Sequence, residues 1–305
     1  MTATPAPASL PAPAPSAAAG LSERAQARRE TWAVLRRRPG FVIGGVILIF
    51  WVTCAVLAAL GIHFTPYDPF DYFDRTVPPP SPPSLTHLFG TDRLGRDVLS
   101  RVLVGARDVF LIAPPGALIG VVAGSILGLI MGFYRGIVDD VISRIVEAFL
   151  SLPVIMVALL TLVVLGSSSV VVILVVGVLF TPIVARTVRS AVLSERQLDY
   201  VTAARLRGES GPFIMVREIL PNILGPIIVE LTVRVGYAIF TVATLSFLGV
   251  GIQPPAPDWG LSVSQEYSNM IAGVWWPTVF PALAIATTVI AVNLIADALQ
   301  SVLSE

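Results

Sequence analysis

The chain has 305 residues, of which 55% are hydrophobic and 13% are charged, and its mean hydropathy is +0.81. Soluble globular domains carry about 25% charged residues, so this composition excludes a soluble globular protein and predicts an all-α integral membrane protein. The formal net charge is zero, and no basic surface indicates a nucleic-acid partner.

The cationic side chains exclude one kind of nucleotide site. All twenty are Arg, and Lys is absent. A phosphate-binding loop of the GxxxxGK[ST] type requires a Lys, so we expect ATP and Mg²⁺ to bind to partner subunits and this chain not to be an enzyme. Cys54 is the single cysteine, which excludes an internal disulfide, and with His63 and His87 it offers too few ligands for a metal site. We expect no cofactor in this chain.

The chain begins with a segment that predicts a cytoplasmic tail, residues 1–38. Its first 20 residues are rich in Ala, Pro and Ser and predict disorder, whereas residues 24–38 are basic and predict a short helix that ends at Pro39. Residues 41–62 are apolar. At 1.5 Å per residue they are long enough to cross a hydrocarbon layer of roughly 30 Å, which predicts a first transmembrane helix.

Residues 63–108 predict an extracytoplasmic segment. In its second half Leu94, Val98 and Val102 recur every four residues, and the pairs Asp92/Arg96 and Asp97/Arg101 have the favourable acid-first i,i+4 spacing. This pattern predicts an interfacial helix lying flat on the outer membrane surface. Such a helix would contact a binding protein or a partner subunit, or it would only cover the ends of the spans.

The core membrane domain is predicted at residues 109–299. It has five apolar stretches near or above the roughly 17-residue minimum for a crossing: 109–133, 145–166, 169–185, 222–250 and 277–299. With the first span the total is six transmembrane helices. Residues 300–305 predict a short cytoplasmic C-terminus.

The arginines predict the orientation of these spans. With the N-terminus inside, 14 Arg lie in inner segments and five in outer segments. Cytoplasmic loops carry an excess of cations, so both termini and the loop at residues 186–222 are predicted to be cytoplasmic.

This cytoplasmic loop is long for a plain connection, and long ordered loops tend to be functional. Residues 199–222 predict two short helices. Gly208 can adopt positive φ to turn the chain between them, Gly211-Pro212 starts the second helix, and Pro221 ends it. Ala203 and Ala204 have small side chains, so that another protein can approach the first of these helices closely.

The same loop resembles a known motif. Ala203-Ala204, Gly208, and Ile219-Leu220-Pro221 eleven residues beyond the glycine resemble the EAA loop of binding-protein-dependent ABC importer permeases. Two further blocks, HLFGTDRLGRDVLSRVLVGAR at 87–107 and LSFLGVGIQPPAPDWG at 245–260, resemble the C-type permease of dipeptide, oligopeptide and nickel ABC importers. Thr202 departs from the motif, because it stands where the acid that gives the loop its name would lie.

The resemblance implies a type I importer fold in the bacterial inner membrane, with a five-helix core and an extra N-terminal span. It also implies a B-type permease as heterodimer partner, two ATPase subunits or one fused ATPase, and an extracytoplasmic solute-binding protein. Short peptides are the expected substrate. Nickel or another metal chelate is the alternative, and a stand-alone secondary transporter is a further one. The residues expected to couple to the ATPase are Asp199, Tyr200, Ala203, Ala204, Arg205, Arg207, Gly208 and Glu209.

Charged residues inside spans are costly and carry a functional interpretation by default. Glu230 and Arg234 are four residues apart in the fifth span, so they share a helix face and can pair there. The pair would line the cavity or the seam between two permeases, as a structural pair or as a substrate contact. Trp259, Trp275 and Trp276 predict an aromatic belt at the membrane surface.

Overall fold

The computed structural model describes residues 33–70 and 79–303. These residues are helical or irregular, and none of them forms a β-strand beyond an isolated bridge between Thr91 and Asp97. Residues 33–37 form one helical turn, which agrees with the end of the predicted basic helix. The predicted disordered tail, the rest of the basic stretch, Arg75 and the last two residues lie outside the described residues.

Ten helices follow one another along the described residues, and the longest connection, residues 60–97, lies between the first two. They are α1 (Pro39–Ala59), α2 (Val98–Tyr134), α3 (Ile137–Leu150), α4 (Val154–Leu165), α5 (Ser169–Glu195), α6 (Asp199–Leu206), α7 (residues 211–222), α8 (Leu224–Phe247), α9 (Trp259–Glu266) and α10 (Trp276–Leu303). Helix α7 has a π-helical stretch, Ile214–Ile219, between two short α-helical ends, and a 3₁₀ segment, Tyr267–Ala272, follows α9.

Five of these helices are long and apolar enough to cross a membrane: α1, α2, α5, α8 and α10. Helices α3 and α4 form a sixth crossing if they are taken as one broken span, because they meet at a bend of 84°. The span predicted at 145–166 is therefore present as two helices with a break between them. The break lies at residues 151–153, since Pro153 lacks an N–H and disfavours helical backbone at Leu152 before it.

The predicted interfacial helix is also wrong. The helix begins only at Val98, where Asp97 caps it by accepting a hydrogen bond from Ser100 N, and it continues without interruption as the 37-residue α2. Gly95 has φ of +78°, which is incompatible with a helix at 92–97. Arg96 does bind Asp92, with an Nε to Oδ2 distance of 2.7 Å, but within a turn.

The predicted Asp97/Arg101 pair does not form either. Asp97 instead lies 2.9 Å from Nδ1 of buried His87. The Arg101 guanidinium donates to two backbone carbonyl oxygens, those of Pro69 at 2.8 Å and Ala256 at 3.0 Å. Arg101 thus joins the outer segment to the connection between α8 and α9.

Two tryptophans fix the outer segment to the core, contrary to their predicted place in an interfacial belt. Trp259 is 0% exposed and donates from Nε1 to Val102 O at 2.8 Å. Trp276 is 7% exposed and donates to Thr91 O at 3.0 Å. Trp275, at 46% exposure, is the one of the three that stays on the surface. Buried indoles of this kind carry both apolar area and a satisfied N–H.

The most extensive helix pairing among the described residues is that of α2 with α5. Helix α2 has a glycine at every fourth position along one face, and a Cβ atom at Gly124 would lie 2.6 Å from Val184 Cβ and 2.8 Å from Thr181 O. Small residues at this spacing let membrane helices approach closely. The glycines are Gly116, Gly120, Gly124, Gly128 and Gly132, and they face Val176, Phe180, Val184, Val188 and Val192 of α5.

Both described ends of the chain lie at one face of the helix bundle. The Arg38 guanidinium before α1 donates to the Ser301 hydroxyl near the end of α10. Helices α8 and α10 run antiparallel, since Gly236 lies beside Asn293 whereas Phe247, further along α8, lines one cavity with Ala282, nearer the start of α10. The start of α8 is therefore at that same face. So is the loop before it, which spans residues 196–222 because α5 continues to Glu195. Which face is cytoplasmic stays a prediction at this point.

Candidate functional site

Helix α6 is short and amphipathic. Val201 and Ala204, three residues apart, are fully buried against apolar residues of α7 and of the ends of α2 and α5. Asp199 lies in the first turn and Arg205 in the last turn, where their charges complement the helix dipole. The helix thus rests one face on the bundle and turns the other face outward.

Gly208 ends α6 with a hydrogen-bond pattern typical of glycine-terminated helices. Its N–H donates to Arg205 O at 3.0 Å, and the next N–H, of Glu209, donates to Ala204 O at 3.2 Å. The pattern requires a left-handed residue, and Gly208 has φ of +79°. The predicted turn at Gly208 is therefore confirmed.

Helix α7 begins at Gly211, with Pro212 in its first turn, as the sequence predicts. The predicted end at Pro221 is too early, because the helix continues to Asn222. Pro221 has no N–H to give to the carbonyl of Arg217, and the preceding stretch is π-helical. Stretches of π-helix are rare in proteins, and many of those that occur lie at functional sites.

Contacts with α2 attach the 196–222 loop to the bundle. Arg196 donates from Nη1 to the carbonyl oxygens of Phe133, at 2.9 Å, and Gly132, at 3.2 Å, which are among the last of α2. The Arg205 guanidinium lies 5.3 Å from the centre of the Phe133 ring. Burial, followed by the charges of Arg205 and Arg135, lowers the pKa of Arg196. These contacts connect the loop to α2.

A hydrogen bond holds α6 to α5, and two ion pairs of Arg207 hold α6 to the segment that follows it. The Tyr200 hydroxyl donates to Glu195 Oε1 at 2.7 Å, and burial, followed by this hydrogen bond, raises the pKa of Tyr200 to about 12. Arg207 lies 3.2 Å from Glu218 Oε1 on α7 and 3.8 Å from Glu209 Oε1. Arg207 therefore joins α6 to α7 across the Gly208 turn.

The structure separates the predicted coupling residues into an exposed set and an internal set. Tyr200 and Glu209 are half-buried. Ala204 is 0% exposed, so the prediction that it offers an approach surface is wrong. Its methyl group packs inside the chain because the inward face of α6 includes it. The exposed members are Asp199, Ala203, Arg205, Arg207 and Gly208.

Sequence reasoning missed four exposed apolar side chains on the loop, one of which is Leu198 at 48% exposure. Leu206 is 85% exposed, Val216 is 56% exposed and Phe213 is 41% exposed. A helical wheel would have identified Leu206, since it lies about 140° around α6 from buried Val201 at 100° per residue. Exposed apolar side chains outside the membrane spans are a feature of interaction surfaces where they form a patch.

The predicted pair of Glu230 with Arg234 forms as expected. Arg234 Nε lies 2.8 Å from Glu230 Oε1 on α8, and the two side chains are 13% and 12% exposed. The guanidinium lies 5.1 Å from the centre of the Tyr237 ring and 5.9 Å from that of Phe180. The role of this pair in a cavity or a seam stays a prediction.

Comparison with known proteins identifies the architecture. Residues 124–305 match the family model of the binding-protein-dependent transport system inner membrane component, and residues 27–83 match that of the N-terminal transmembrane domain of oligopeptide transport permease C. The glutathione transport system permease protein of Shigella flexneri serotype 5b is 40% identical over 90% of this chain and 89% of its own length. A putative peptide transport system permease protein of Brucella suis biovar 1 is 40% identical over 88% of each chain.

These matches confirm the predicted fold, a type I importer permease with an added N-terminal span. They also confirm that the chain is a non-enzymatic, multi-pass inner membrane subunit, and a permease of this kind works with an ATPase and a substrate-binding protein. The chain therefore belongs to the family of binding-protein-dependent transport system inner membrane components, as a C-type permease of the ABC importers.

Proposed function

We propose that the chain is the permease through which an ATP-driven importer moves short peptides, and that the 196–222 loop receives the ATPase. The observation that carries the proposal is the construction of this loop. It presents exposed Leu206 and Phe213 beside exposed charges, and it is bonded to the end of α2. A surface that binds a partner and is joined to a membrane-spanning helix is suited to pass on a movement.

The ATPase supplies the ATP and Mg²⁺ sites in this proposal, because the chain has no Lys with which to build a phosphate-binding loop. The loop exposes both apolar and charged side chains, which are the two components of a protein interface. The left-handed turn at Gly208 sets the angle between α6 and α7, and the ion pair of Arg207 with Glu218 adds a second contact between them. This angle sets the relative orientation of Leu206 and Phe213 for the partner. The permease partner is a B-type subunit in a heterodimer.

Two relatives support a peptide as substrate, since one is named a glutathione and the other a putative peptide transport permease. The chemistry of the chain agrees with this class. Peptides vary in side chain but share a backbone and charged ends, which suits a mostly apolar path with few fixed charges. Free nickel would favour imidazole or thiolate ligands, and the chain has two His and one Cys.

The test of the substrate is uptake of labelled di- and oligopeptides by proteoliposomes that contain the assembled transporter and its binding protein. We expect saturable uptake that needs ATP and that other short peptides inhibit. Glutathione is included as one competitor because of the relative that carries its name. Saturable nickel uptake without any peptide uptake would refute the peptide assignment and support the metal-chelate alternative.

We also propose that the face with the 196–222 loop is cytoplasmic, which follows from the Arg distribution. Ser84 and Ser210 are both exposed. Ser84 precedes the start of α2, whereas Ser210 belongs to the 196–222 loop, which is bonded to the end of α2. In a chain with Cys54→Ser, we expect a membrane-impermeant maleimide to label Ser84→Cys in intact cells and to leave Ser210→Cys unlabelled until the cells are broken. Labelling in the reverse pattern would show that the loop faces outward and would contradict ATPase binding there.

A further inference from the structure

Helix α8 has a polar face within an otherwise apolar membrane span. Glu230, Arg234, Tyr237 and Thr241 follow one another at spacings of four, three and four residues. At 100° per residue they lie within about 60° of each other around the helix. None of the four is fully buried, and Tyr237 is 55% exposed. The bundle therefore leaves Tyr237 open and covers the rest of this face only in part, with Glu230 and Arg234 at 12% and 13% exposure.

Arg234 lies deep along this span. It is ten residues beyond Leu224, the first residue of α8, which corresponds to roughly 15 Å along the helix axis. This is about half the thickness of the hydrocarbon layer. A charged side chain at such a depth is costly against lipid and faces protein or a water-filled path.

The local contacts of Arg234 leave most of its hydrogen-bonding capacity unused. Its Nε donates to Glu230 Oε1 at 2.8 Å, whereas Nη1 and Nη2 donate to no group in residues 33–70 and 79–303. The rings of Tyr237 and Phe180 flank the guanidinium at 5.1 and 5.9 Å. A planar guanidinium held at one edge presents its other donors as a fork that matches a carboxylate.

We propose that Arg234 determines specificity by binding a carboxylate of the transported peptide as it passes along the polar face of α8. This inference depends on the proposed peptide transport. Glu230 orients the guanidinium through Nε and cancels its charge, so the carboxylate is bound weakly enough to leave again, as a transport path requires. A carboxylate on the second permease offers the same chemistry, and the experiment separates the two sources.

The experiment measures uptake of a labelled tripeptide with a free C-terminal carboxylate and of the same tripeptide with a C-terminal amide. Both are measured in proteoliposomes with the assembled transporter containing wild-type chain, Arg234→Gln, Arg234→Lys or Arg144→Gln. Arg144 is an exposed arginine of α3 and serves as the matched control. A hydrogen bond between charged groups accounts for roughly a tenfold or greater change in binding.

We expect Arg234→Gln to lower uptake of the free acid at limiting concentration by about tenfold or more and uptake of the amide by less than twofold. Arg234→Lys keeps the charge but loses the fork, so it should show a smaller loss with the same preference. Arg144→Gln should change neither. If Arg234→Gln fails to assemble, Arg234→Lys decides by the same ratio of acid to amide.

Three outcomes overturn the inference. An equal loss for acid and amide, with a lower melting temperature of the purified complex, would show that Arg234 holds the complex together, through Glu230 or a carboxylate of the second permease, and does not bind substrate. Unchanged uptake of both peptides would remove Arg234 from the path. A wild-type transporter that takes up neither peptide would refute the proposed function itself, and this differs from the first two outcomes, in which wild-type uptake persists.

Discussion

Gly208→Val should leave the transporter assembled while lowering peptide uptake by at least about tenfold. Gly208 has φ of +79°, and left-handed backbone costs a residue with a Cβ about 1–2 kcal/mol, with β-branched residues the least tolerant. The strain is relieved by reopening the turn, which moves α6 relative to α7 and displaces exposed Leu206. The ATPase would then hydrolyse ATP without moving α2. Uptake and ATP hydrolysis are measured in the same proteoliposomes.

The chain provides a matched control at its opposite face. Gly249 has φ of +81° and ends α8 with the same pair of hydrogen bonds, from Gly249 N to Ser246 O and from Val250 N to Leu245 O. A Cβ at either glycine would meet no atom within 4 Å. Gly249→Val should therefore lose the same stability and keep uptake coupled to hydrolysis. Equal uptake in both variants would show that the Gly208 turn has no role in coupling.

The sequence predicted local structure best where one residue type determines the backbone. Gly208 was identified because only glycine adopts positive φ at no steric cost, and the Glu230/Arg234 pair because i,i+4 residues share a face. The spans were found from apolar length alone. Each of these inferences needs only neighbours along the chain.

Predictions failed where a distant contact decided the outcome. Asp97 fits an i,i+4 pair with Arg101 by spacing, but it caps α2 and binds His87, ten residues away. The position of Trp259 near the end of a span predicts an interfacial belt, but its indole N–H donates a hydrogen bond to the carbonyl oxygen of Val102 in the core. Ala204 looked exposed because its burial depends on α7 folding back over it. The glycine spacing in α2 was a readable signal, which the sequence reasoning did not use.

That spacing leads to the prediction with the largest effect on folding. Gly124→Leu should prevent accumulation of the folded chain in the membrane, or lower its stability by roughly 3 kcal/mol or more. The new Cβ would lie 2.6 Å from Val184 Cβ and 2.8 Å from Thr181 O. The backbone oxygen cannot move away without shifting α5, so α2 and α5 must separate along their length. The other four glycines of the face would then lose their contacts with α5.

The measurement compares the amount of chain in the membrane fraction and its thermal unfolding in detergent, with Gly45→Leu as the control. Gly45 is a glycine within the membrane helix α1, and a Cβ there would meet no atom within 4 Å. Both variants add the same side chain to a membrane helix, so they differ in the space available. A Gly124→Leu chain that accumulates and unfolds like Gly45→Leu would show that the α2–α5 contact is looser than the structure describes. A movement of the 196–222 loop that reaches α2 through Arg196 would then not be transmitted to α5. The coupling proposed for this loop would lack a rigid connection to the rest of the bundle.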